Sequence, residues 1–582
     1  MVIESQSEET AAVAVAAAPP ARPAQAKPNP IARLLPSLAD VAFLAPIIFL
    51  YIRGEGARTL LGDADTGWHL RTGQWILDHG RVPHTDLFSF TKAGQPWFAW
   101  EWLWDVIFGW LHLHWGLAAV ALVNTVLLAT VFALVYKLAW WKSRNALVSI
   151  ALTLAAVAGS SLHWLARPHL TTWIFVVAFY WLLERDRAAR SGALWLLPAL
   201  MVAWTNLHGG FVAGVLLTGA YAAGQLASGL VEAAPQLRAE AFAGARRYGL
   251  LTAACAAASL VNPYGWNLHV HIVKYLADTS IQSGIMEFLP YSFQHPMAKY
   301  VEAMVLLAGF AAIWNAYHRR FVDSFLLVLW AHAGLFSARH LPIFVIVAAP
   351  ILAVTVTEMA APLRQARVAD WLRNAARGLA GFDDEIGAIE RIGRIRWLPV
   401  ATVLLLAGLM WVGVGDSFQA SFDPKKFPVK AAEHLSAAAL TAGIFSTDQW
   451  GDYLIYRHYP NVRVFIDGRS DFYGEKIIDR YVDVVTAKWN WSQTLDRYRI
   501  KTLVLPADCA VASTLKLSRD WRVAYDDHVA ITFERVAGGS SAATPPQTTK
   551  ISAAINGGST AIARSQTMQP VVHGSQSYAR RN

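Results

Sequence analysis

Residues 117–136 read LAAVALVNTVLLATVFALVY and contain no charged side chain. A helix rises about 1.5 Å per residue, so a run of this length crosses the ~30 Å hydrocarbon core of a bilayer. The sequence therefore predicts a mainly α, polytopic membrane domain with about eleven transmembrane helices. The shortest run, 170–183, needs tilting or local thinning of the bilayer. Besides the run at 117, apolar runs begin near residues 36, 146, 170, 192, 211, 248, 300, 321, 341 and 397.

The composition agrees with a membrane protein. Of the 582 residues, 55% are hydrophobic and 16% are charged, whereas soluble domains carry about 25% charged residues. The net charge of +9 is spread over short basic clusters rather than one stripe, which indicates topology determinants and no nucleic-acid partner. Cys255 and Cys509 are the two cysteines, so neither a disulfide framework nor a cysteine metal site is indicated.

Lysine and arginine residues mark every second connection between the apolar runs. By the positive-inside rule these connections are cytoplasmic, and so is the N-terminus. The segments 53–100, 162–170, 206–210, 262–299 and 336–341, and everything after residue 415, are then extracytoplasmic. We expect a multi-pass protein of the bacterial inner membrane. The basic clusters are Lys137, Lys142 and Arg144; Arg185, Arg187 and Arg190; Arg246 and Arg247; Arg319 and Arg320; and the arginines from Arg364 to Arg396.

Four regions follow from these changes in composition. Residues 1–30 and 537–582 are rich in small and polar residues, which predicts a disordered cytoplasmic tail and a second disordered tail. Residues 31–415 form the predicted transmembrane domain, with a long first external loop at 54–105. Residues 416–536 form a predicted extracytoplasmic α/β domain, because short apolar strands alternate there with helical patterns. The expected elements are strands at Arg463–Ile466, Thr502–Leu505 and Val529–Phe533 and a helix at Glu475–Ala487.

The first external loop ends in PWFAWEWLWDVIFGWLHLHW at 96–115. Tryptophans and acidic residues alternate in this stretch, which is too polar for a clean span and predicts an interfacial helix. Five polar clusters also fall at the external ends of the apolar runs. Ionisable groups near hydrocarbon cost at least ~2 kcal/mol each, so their common side favours a shared cavity. The alternative is anchoring of helix ends by snorkelling side chains and Pro/Gly turns. The clusters are 62–65 with His69 and Arg71, 167–169, 204–210, 262–265 and 337–340.

Asp63 and Asp65 lie two residues apart at the start of the long loop. Such a pair could bind a divalent cation or supply a base to a hydroxyl nucleophile. The alternative is an Asx turn or a helix N-cap before the helical run that follows. The external arginines Arg71, Arg167 and Arg339 suit a phosphate headgroup, since guanidinium matches phosphate oxygens in pairs.

The run DADTGWHLRTGQWILDHGRVPHTDLFSF at 63–90, followed by PWFAWEWL, resembles the first external loop of the C-class (GT-C) integral-membrane glycosyltransferases. These enzymes use polyprenyl-phosphate-linked sugars. The matching positions are Asp65, Arg71, Gly80 and Asp86. Over nearly residues 36–536 the chain resembles a set of bacterial multi-pass membrane proteins of undetermined function. The shared stretches are 204–210, 262–265, 339–342, 450–454 and 466–473.

The resemblance implies a membrane glycosyltransferase that moves a sugar from a polyprenyl-phosphate-linked donor to an extracytoplasmic acceptor. Its partners are the lipid-linked donor and membrane lipids. The candidate catalytic residues are Asp65, Asp63 and His69. The candidate donor-phosphate ligands are Arg71, Arg167, His169, Asn206, His208, Arg339 and His340. The candidate contacts to acceptor or sugar are Asp86, Glu101, Trp450, Asp467 and Arg469.

The second external loop, 162–169, departs from the family pattern because it holds no carboxylate. Oligosaccharyltransferase-like enzymes carry a second acidic motif there. No cofactor is therefore assigned: a divalent cation and a metal-free Asp65 base both stay open. Glu101 and Glu287 are the remaining external acids, and Glu101 could instead cap the interfacial helix. Asp467–Gly468 could form a turn, with Arg469 paired to Asp471 or Asp452 for structure.

Two other classes of function are open. A transporter or flippase of lipid-linked saccharides needs polar residues through the bilayer midplane and an inverted repeat. The sequence shows no such repeat, and the centres of its apolar runs are nearly pure Ala, Leu and Val. A non-catalytic membrane scaffold is the third alternative, since a long tryptophan-rich loop can bind a partner.

The predicted topology can be tested with reporter fusions. The positive-inside rule predicts cytoplasmic signals after the basic connections and external signals within the loops and the C-terminal region. A cytoplasmic signal at 430 would contradict the common external side of the polar clusters. Fusions after residues 142, 187, 247, 320 and 380 should report as cytoplasmic, and fusions after 95, 280 and 430 as external.

Overall fold

A computed structural model describes residues 33–279, 285–365, 369–392 and 394–536. The two predicted tails, 1–30 and 537–582, lie outside the described residues. The described residues belong to one compact unit that ends at Val536. The domain boundary expected near residue 415 stays a prediction.

Helices make up most of the chain through residue 412. The first helix begins at a capping box. The Ser37 hydroxyl oxygen accepts a hydrogen bond from the Asp40 amide, and the Asp40 carboxylate accepts one from the Ser37 amide. Such a capping box satisfies two amides that a helix start leaves unpaired. In chain order the helices are α1 Leu38–Ile48, continued by a π-turn at Phe49–Arg53, α2 Ala57–Leu60, α3 Asp65–His79, α4 Trp102–Ser143, α5 Ala146–Ser160, α6 His169–Ala188, α7 Leu197–Leu207, α8 Val212–Val231, α9 Pro235–Ala258, α10 Trp266–Ala277, α11 Ala298–Tyr317, α12 Phe321–Phe336, α13 Leu341–Ala360, α14 Asp370–Glu390 and α15 Trp397–Val412.

Each of the predicted apolar runs falls on one of these helices. Among the described residues, five helical stretches are long and apolar enough to cross a membrane. The chain is thus mainly helical and has the spans of a multi-pass membrane protein, while the count of eleven stays a prediction. The five stretches are Trp102–Ser143, Ala146–His163, Gly209–Val231, Ala298–Tyr317 and Ala338–Arg364, and shorter apolar helices cover Gly192–Leu207, Phe321–Phe336 and Trp397–Val412.

Helix α4 consists of two parts that meet at Gly116. This residue has φ 67° and ψ −165°, a conformation outside the helical region that a glycine adopts without a Cβ clash. The part before Gly116 is the predicted tryptophan-rich helix, and the part after it is the apolar run at 117–136. The helical prediction for the first part is confirmed, and its position at the membrane interface stays a prediction.

The C-terminal segment, residues 416–536, combines short helices with one small sheet. Its strand order is β1-β2-β4-β3, with β1 and β2 parallel and the other two pairs antiparallel. The strands are β1 Ile444–Ser446, β2 Thr502–Pro506, β3 Trp521–Asp526 and β4 Ala530–Arg535. The helices are α16 Gly415–Phe418, α17 Val429–Glu433, α18 Ala437–Ala442, α19 Asp448–His458, α20 Ser470–Tyr473, α21 Glu475–Val485, α22 Trp491–Arg497 and α23 Ala510–Leu517.

The strand predicted at Arg463–Ile466 is wrong. Val464 forms only isolated bridges, one to Ser89 and one to Ile444. Its amide donates to the Phe88 carbonyl, and its carbonyl accepts from the Phe90 amide. The backbone groups of this stretch are thus shared between the 54–105 segment and β1, so no continuous ladder develops.

The 54–105 segment and the C-terminal segment share a hydrophobic core. Trp68, Phe88 and Trp97 are buried in the same cluster as Trp450 and Tyr453. Helix α3 packs against α19, and burying aromatic side chains is the strongest source of stability available at such a contact. The C-terminal segment is therefore fixed to the loop that carries the Asp63–Asp65 pair.

Helices α3 and α4 cross where glycines let their backbones touch. A Cβ on Gly73 would overlap the carbonyl oxygen of Asp105, and a Cβ on Gly109 would lie 3.0 Å from the Gly73 Cα atom. This close crossing fixes the start of α4 against the middle of α3.

Substituting Gly73→Ala should destabilise the protein. Overpacking typically costs about 1–3 kcal/mol, and here the overlap is with rigid backbone. Thermal unfolding in detergent should show a lower Tm for Gly73→Ala. Gly309→Ala is the matched control, because Gly309 lies in α11 with no atom near its Cβ position, and alanine favours helix. Equal Tm values for the two variants would contradict the close crossing.

Candidate active site

The Asp63–Asp65 pair lies at the start of α3. Asp63 Oδ1 accepts a hydrogen bond from the Asp65 amide at 2.9 Å, which is the Asx turn considered from the sequence. The N-cap position belongs to Ala64, which has no side chain that can cap. The alternative that made Asp65 an N-cap is therefore wrong, because Asp65 is already the first residue of the helix.

Arg167 binds three carboxylates at once. Its Nη1 donates to Asp63 Oδ2 and to Glu287 Oε1, both at 2.7 Å, and its Nη2 lies 2.7 Å from Asp65 Oδ2. The Arg167 side chain is 20% exposed and that of Asp65 is 7% exposed. Buried carboxylates need a compensating charge, so Arg167 holds this cluster together.

Glu287 reaches Arg167 from a turn that is fixed to the start of α13. The Ser337 hydroxyl donates to the Glu287 carbonyl at 3.0 Å, and the Ala338 amide donates to the Leu289 carbonyl at 3.0 Å. The Arg339 guanidinium lies over the ring of Phe288, 4.6 Å from its centroid. Three of the predicted polar clusters, at 62–65, 167–169 and 337–340, are thereby brought to one place.

Burial and charge set the pKa values of these acids in opposite directions. Burial raises the pKa of Asp65 to about 7, although Arg167 acts to lower it. Burial alone would also raise the pKa of Glu287, but Arg167, His163 and Arg339 together outweigh burial and lower that pKa to about 2. Asp65 thus titrates near neutral pH, which is the range expected of a general base.

Asp452 from α19 faces Asp65, and the predicted site residues omitted it. A Cβ on Gly468 would overlap Asp65 Oδ1 and lie 2.8 Å from Asp452 Oδ2, so both oxygens border the same space. The Gly468 amide donates to Asp452 Oδ1 at 2.9 Å. The only sequence signal for this partner was its place in the polar stretch around 448–473.

His69 and His208 flank Glu101. His69 Nδ1 and Asp105 Oδ1 lie 2.6 Å apart and share a hydrogen bond, while His69 Nε2 lies 3.7 Å from Glu101 Oε2. The Gly210 amide donates to His208 Nδ1, so the Nε2 atom of a neutral His208 carries the proton. That Nε2 lies 3.6 Å from Glu101 Oε1.

Glu101 occupies the N-cap position of α4, but its side chain makes no capping hydrogen bond. The capping alternative for Glu101 is therefore wrong. Burial raises the pKa of Glu101 to about 8. Glu101 is therefore mostly protonated at neutral pH, and a protonated carboxyl between two imidazoles can both donate and accept a hydrogen bond.

Protein groups already engage several predicted donor-phosphate ligands. Arg71 donates to the Tyr456 carbonyl and to Gln74. Asn206 accepts from Trp102 Nε1 and donates to two backbone carbonyls. His169 Nε2 lies 2.9 Å from the His163 carbonyl oxygen. His340 follows Arg339 and is half-buried, with no hydrogen bond to its Nδ1 from the described residues.

The predicted acceptor contacts Asp86, Asp467 and Arg469 form a buried network. Arg469 donates to Asp467 Oδ2 at 2.6 Å and to Asp86 Oδ1 at 2.7 Å. Its guanidinium also lies over the ring of Trp97, 4.5 Å from the centroid. The alternative considered from the sequence paired Arg469 with Asp471 or Asp452. That pairing is wrong, because Arg469 binds Asp467 and Asp86. Trp450 is likewise buried and donates to the Lys426 carbonyl.

The carboxylates of this site are already bound to a cation of the protein itself. In the part of the chain that the structure describes, no group of three or more His, Cys, Asp or Glu side chains is arranged to hold one. The oxygens of Asp63, Asp65 and Glu287 that meet are each bound by Arg167. The guanidinium therefore supplies the positive charge that a divalent cation would bring to these carboxylates.

Solved structures of archaeal oligosaccharyltransferases resemble this fold. The enzyme AglB from Archaeoglobus fulgidus, in complex with an inhibitory peptide and a dolichol-phosphate, gives a TM-score of 0.50 at 12% identity, over 81% of this chain and 69% of that chain. The Archaeoglobus fulgidus oligosaccharyltransferase in complex with Zn and sulfate gives a TM-score of 0.49 at 12% identity, over 81% of this chain and 68% of that chain. Comparisons with family models and with curated proteins gave no match. The resemblance to C-class glycosyltransferases is confirmed at the level of the fold.

Replacing Arg167 should destabilise the protein strongly. Arg167→Gln leaves three carboxylates without their cation, and breaking a buried pair typically costs about 3–5 kcal/mol. Thermal unfolding in detergent should show a larger loss at pH 8 than at pH 5, because protonated carboxyls need no cation. Arg320→Gln is the control, because Arg320 pairs with Glu358 and both side chains are about one-third exposed. Loss of such an exposed ion pair should lower the free energy of unfolding by about 0–1 kcal/mol. Similar losses would show that the cluster is effectively solvated.

Proposed function

We propose that the protein is a membrane glycosyltransferase that uses a polyprenyl-phosphate-linked sugar donor and an extracytoplasmic acceptor, with Asp65 as the general base. The observation that carries this proposal is the state of Asp65. It is a buried carboxylate, fixed by Arg167, with a pKa raised to about 7. Perturbed acids of this kind concentrate at functional sites.

In the proposed reaction Asp65 accepts the proton of an acceptor hydroxyl. The hydroxyl oxygen forms a bond to the anomeric carbon of the donor sugar. The bond between that carbon and the phosphate oxygen breaks, and its electron pair stays on the polyprenyl phosphate. Proton transfer to a positioned base typically contributes about 10²–10⁴-fold to such a step.

Arg167 acts in this proposal by holding Asp65 ionised and oriented. Its contacts to three carboxylates support a metal-free site, and the phosphate of the donor then needs other partners. Arg339, His340 and His208 remain the proposed phosphate contacts: Arg339 lies over Phe288, the residue after Glu287, His340 follows Arg339 in the chain, and His208 lies beside Glu101. The hydrogen bonds of Arg71 and Asn206 within the protein favour a positioning part for those two residues.

Glu101, between His69 and His208, is the proposed contact to the acceptor. Asp63 and His69 support the site, Asp63 through Arg167 and His69 through Glu101. The fold supports the class of donor, because the AglB structure of similar fold contains a dolichol-phosphate. Dolichol-phosphate and the bacterial polyprenyl phosphates share the same chemistry, a long isoprenoid chain that ends in a phosphate.

Asp65→Asn should remove transfer while the protein stays folded. Asn keeps the size of Asp but cannot take up the acceptor proton, so the rate should fall by about 10²-fold or more. The assay follows labelled sugar from a polyprenyl-phosphate donor in proteoliposomes. Asp78→Asn is the control, because Asp78 is an exposed residue of the same helix. Full transfer by the Asp65→Asn variant would remove Asp65 from the chemistry.

A further inference from the structure

Two carboxylate oxygens in the site lack a donor. Asp65 Oδ1 and Asp452 Oδ2 are both buried, and no group among the described residues donates a hydrogen bond to either. Both residues are also buried as a whole, with Asp65 5% and Asp452 0% exposed. Both oxygens border the position that a Cβ on Gly468 would occupy. The two oxygens therefore border the same buried space beside Gly468.

Two ionised carboxylates cannot stay in this arrangement. Like charges in a buried site repel, and a buried acceptor without a donor loses its hydration without compensation. One added proton removes both problems, because a protonated carboxyl is a donor to the other oxygen. The side chains of Asp65 and Asp452 then share a hydrogen bond.

The surroundings decide which acid keeps the proton. Asp65 is bound to the Arg167 cation, which favours its ionised form. Asp452 Oδ1 instead accepts a hydrogen bond from the Gly468 amide, which carries no net charge. Burial raises the pKa of Asp452 well above its usual range, and the neighbouring charges of Asp65 and Asp467 raise it further.

We propose that Asp452 is a positioning residue for the base: it keeps one proton, donates it in a hydrogen bond to Asp65 Oδ1, and so holds Asp65 ionised and oriented. This rests on the proposed function of Asp65. A carboxylate has about four acceptor sites, so Asp65 can bind Arg167 and Asp452 and still accept the proton of a hydroxyl. The C-terminal segment thereby completes a site that begins in the 54–105 segment.

A bell-shaped pH profile follows from this arrangement. Transfer is lost as the pH falls through about 7, where Asp65 becomes protonated. It is lost again at alkaline pH, where Asp452 gives up the shared proton and its hydrogen bond. The two limbs belong to the coupled pair. The other ionisable groups that face Asp65 are Asp63, Arg167, Glu287 and Glu101, and Asp467 faces Asp452.

The decisive variants are Asp452→Asn and Asp452→Ala. The Asn amide is a donor that cannot ionise, so the Asn variant should retain transfer and lose the alkaline limb. The Ala variant has no donor, and we expect its transfer to fall roughly tenfold, as for the loss of a hydrogen bond to a charged group. Equal loss in both variants, or an unchanged alkaline limb in the Asn variant, would overturn the proposal.

Glu101→Gln serves as the matched control, because the pKa of Glu101 is raised to about 8 and its ionisation could also produce an alkaline limb. The alkaline limb must persist in Glu101→Gln relative to that variant's own maximum. Its disappearance there would assign the limb to Glu101 and overturn the proposal for Asp452.

An infrared measurement tests the shared proton without any transfer assay. At pH 8 the difference spectrum between the full-length protein and Asp452→Asn should contain the carbonyl stretch of one protonated carboxyl. A missing band would overturn the pair even if transfer is observed. A band without transfer in any preparation would retain the pair and reject the proposed function. Binding of Mn²⁺ that Asp452→Asn removes would show that the two oxygens hold a cation instead of a proton, which also overturns the proposal.

Discussion

The carboxylate cluster between α3 and the turn before α11 depends on the positive charge of Arg167. Removing carboxylates from water is costly, and only a paired cation makes the burial of several of them tolerable. Arg167 meets Asp63 and Asp65 at the start of α3 and Glu287 in the turn before α11, so a single side chain joins two distant parts of the chain to its own. The positions of the first turn of α3 and of the turn before α11 are thus set by a single guanidinium.

Local patterns predicted much of the fold. The apolar runs are local features of the sequence, and each of them is helical in the structure because backbone hydrogen bonds within a membrane can be satisfied inside a single helix. The positive-inside rule reads the charges next to each run and so predicted one common side for the polar clusters. Three of these clusters meet in the structure, while the side of the membrane stays a prediction. The Asp63 turn was also predictable, since its hydrogen bond joins residues two apart.

Long-range partners could not be predicted in the same way. Arg469 and Asp86 are 383 residues apart, and nothing in the spacing favours this pair over the nearer acids Asp471 and Asp452. Asp452 was visible as a polar residue but not as the neighbour of Asp65. Likewise, the strand expected at Arg463–Ile466 has a strand-like composition, but its hydrogen bonds are divided between two neighbours.

The break at Gly116 has a consequence for the lipid environment. Membranes differ in thickness by a few Å, and spanning helices accommodate the difference by tilting. Because α4 leaves the helical conformation at Gly116, the apolar part that follows can change its inclination without rotating the part that begins at Trp102. Glu101 and Asp105 should then keep their distances to His69 in thin and thick bilayers alike, so we expect the geometry around His69 to be independent of the composition of the membrane.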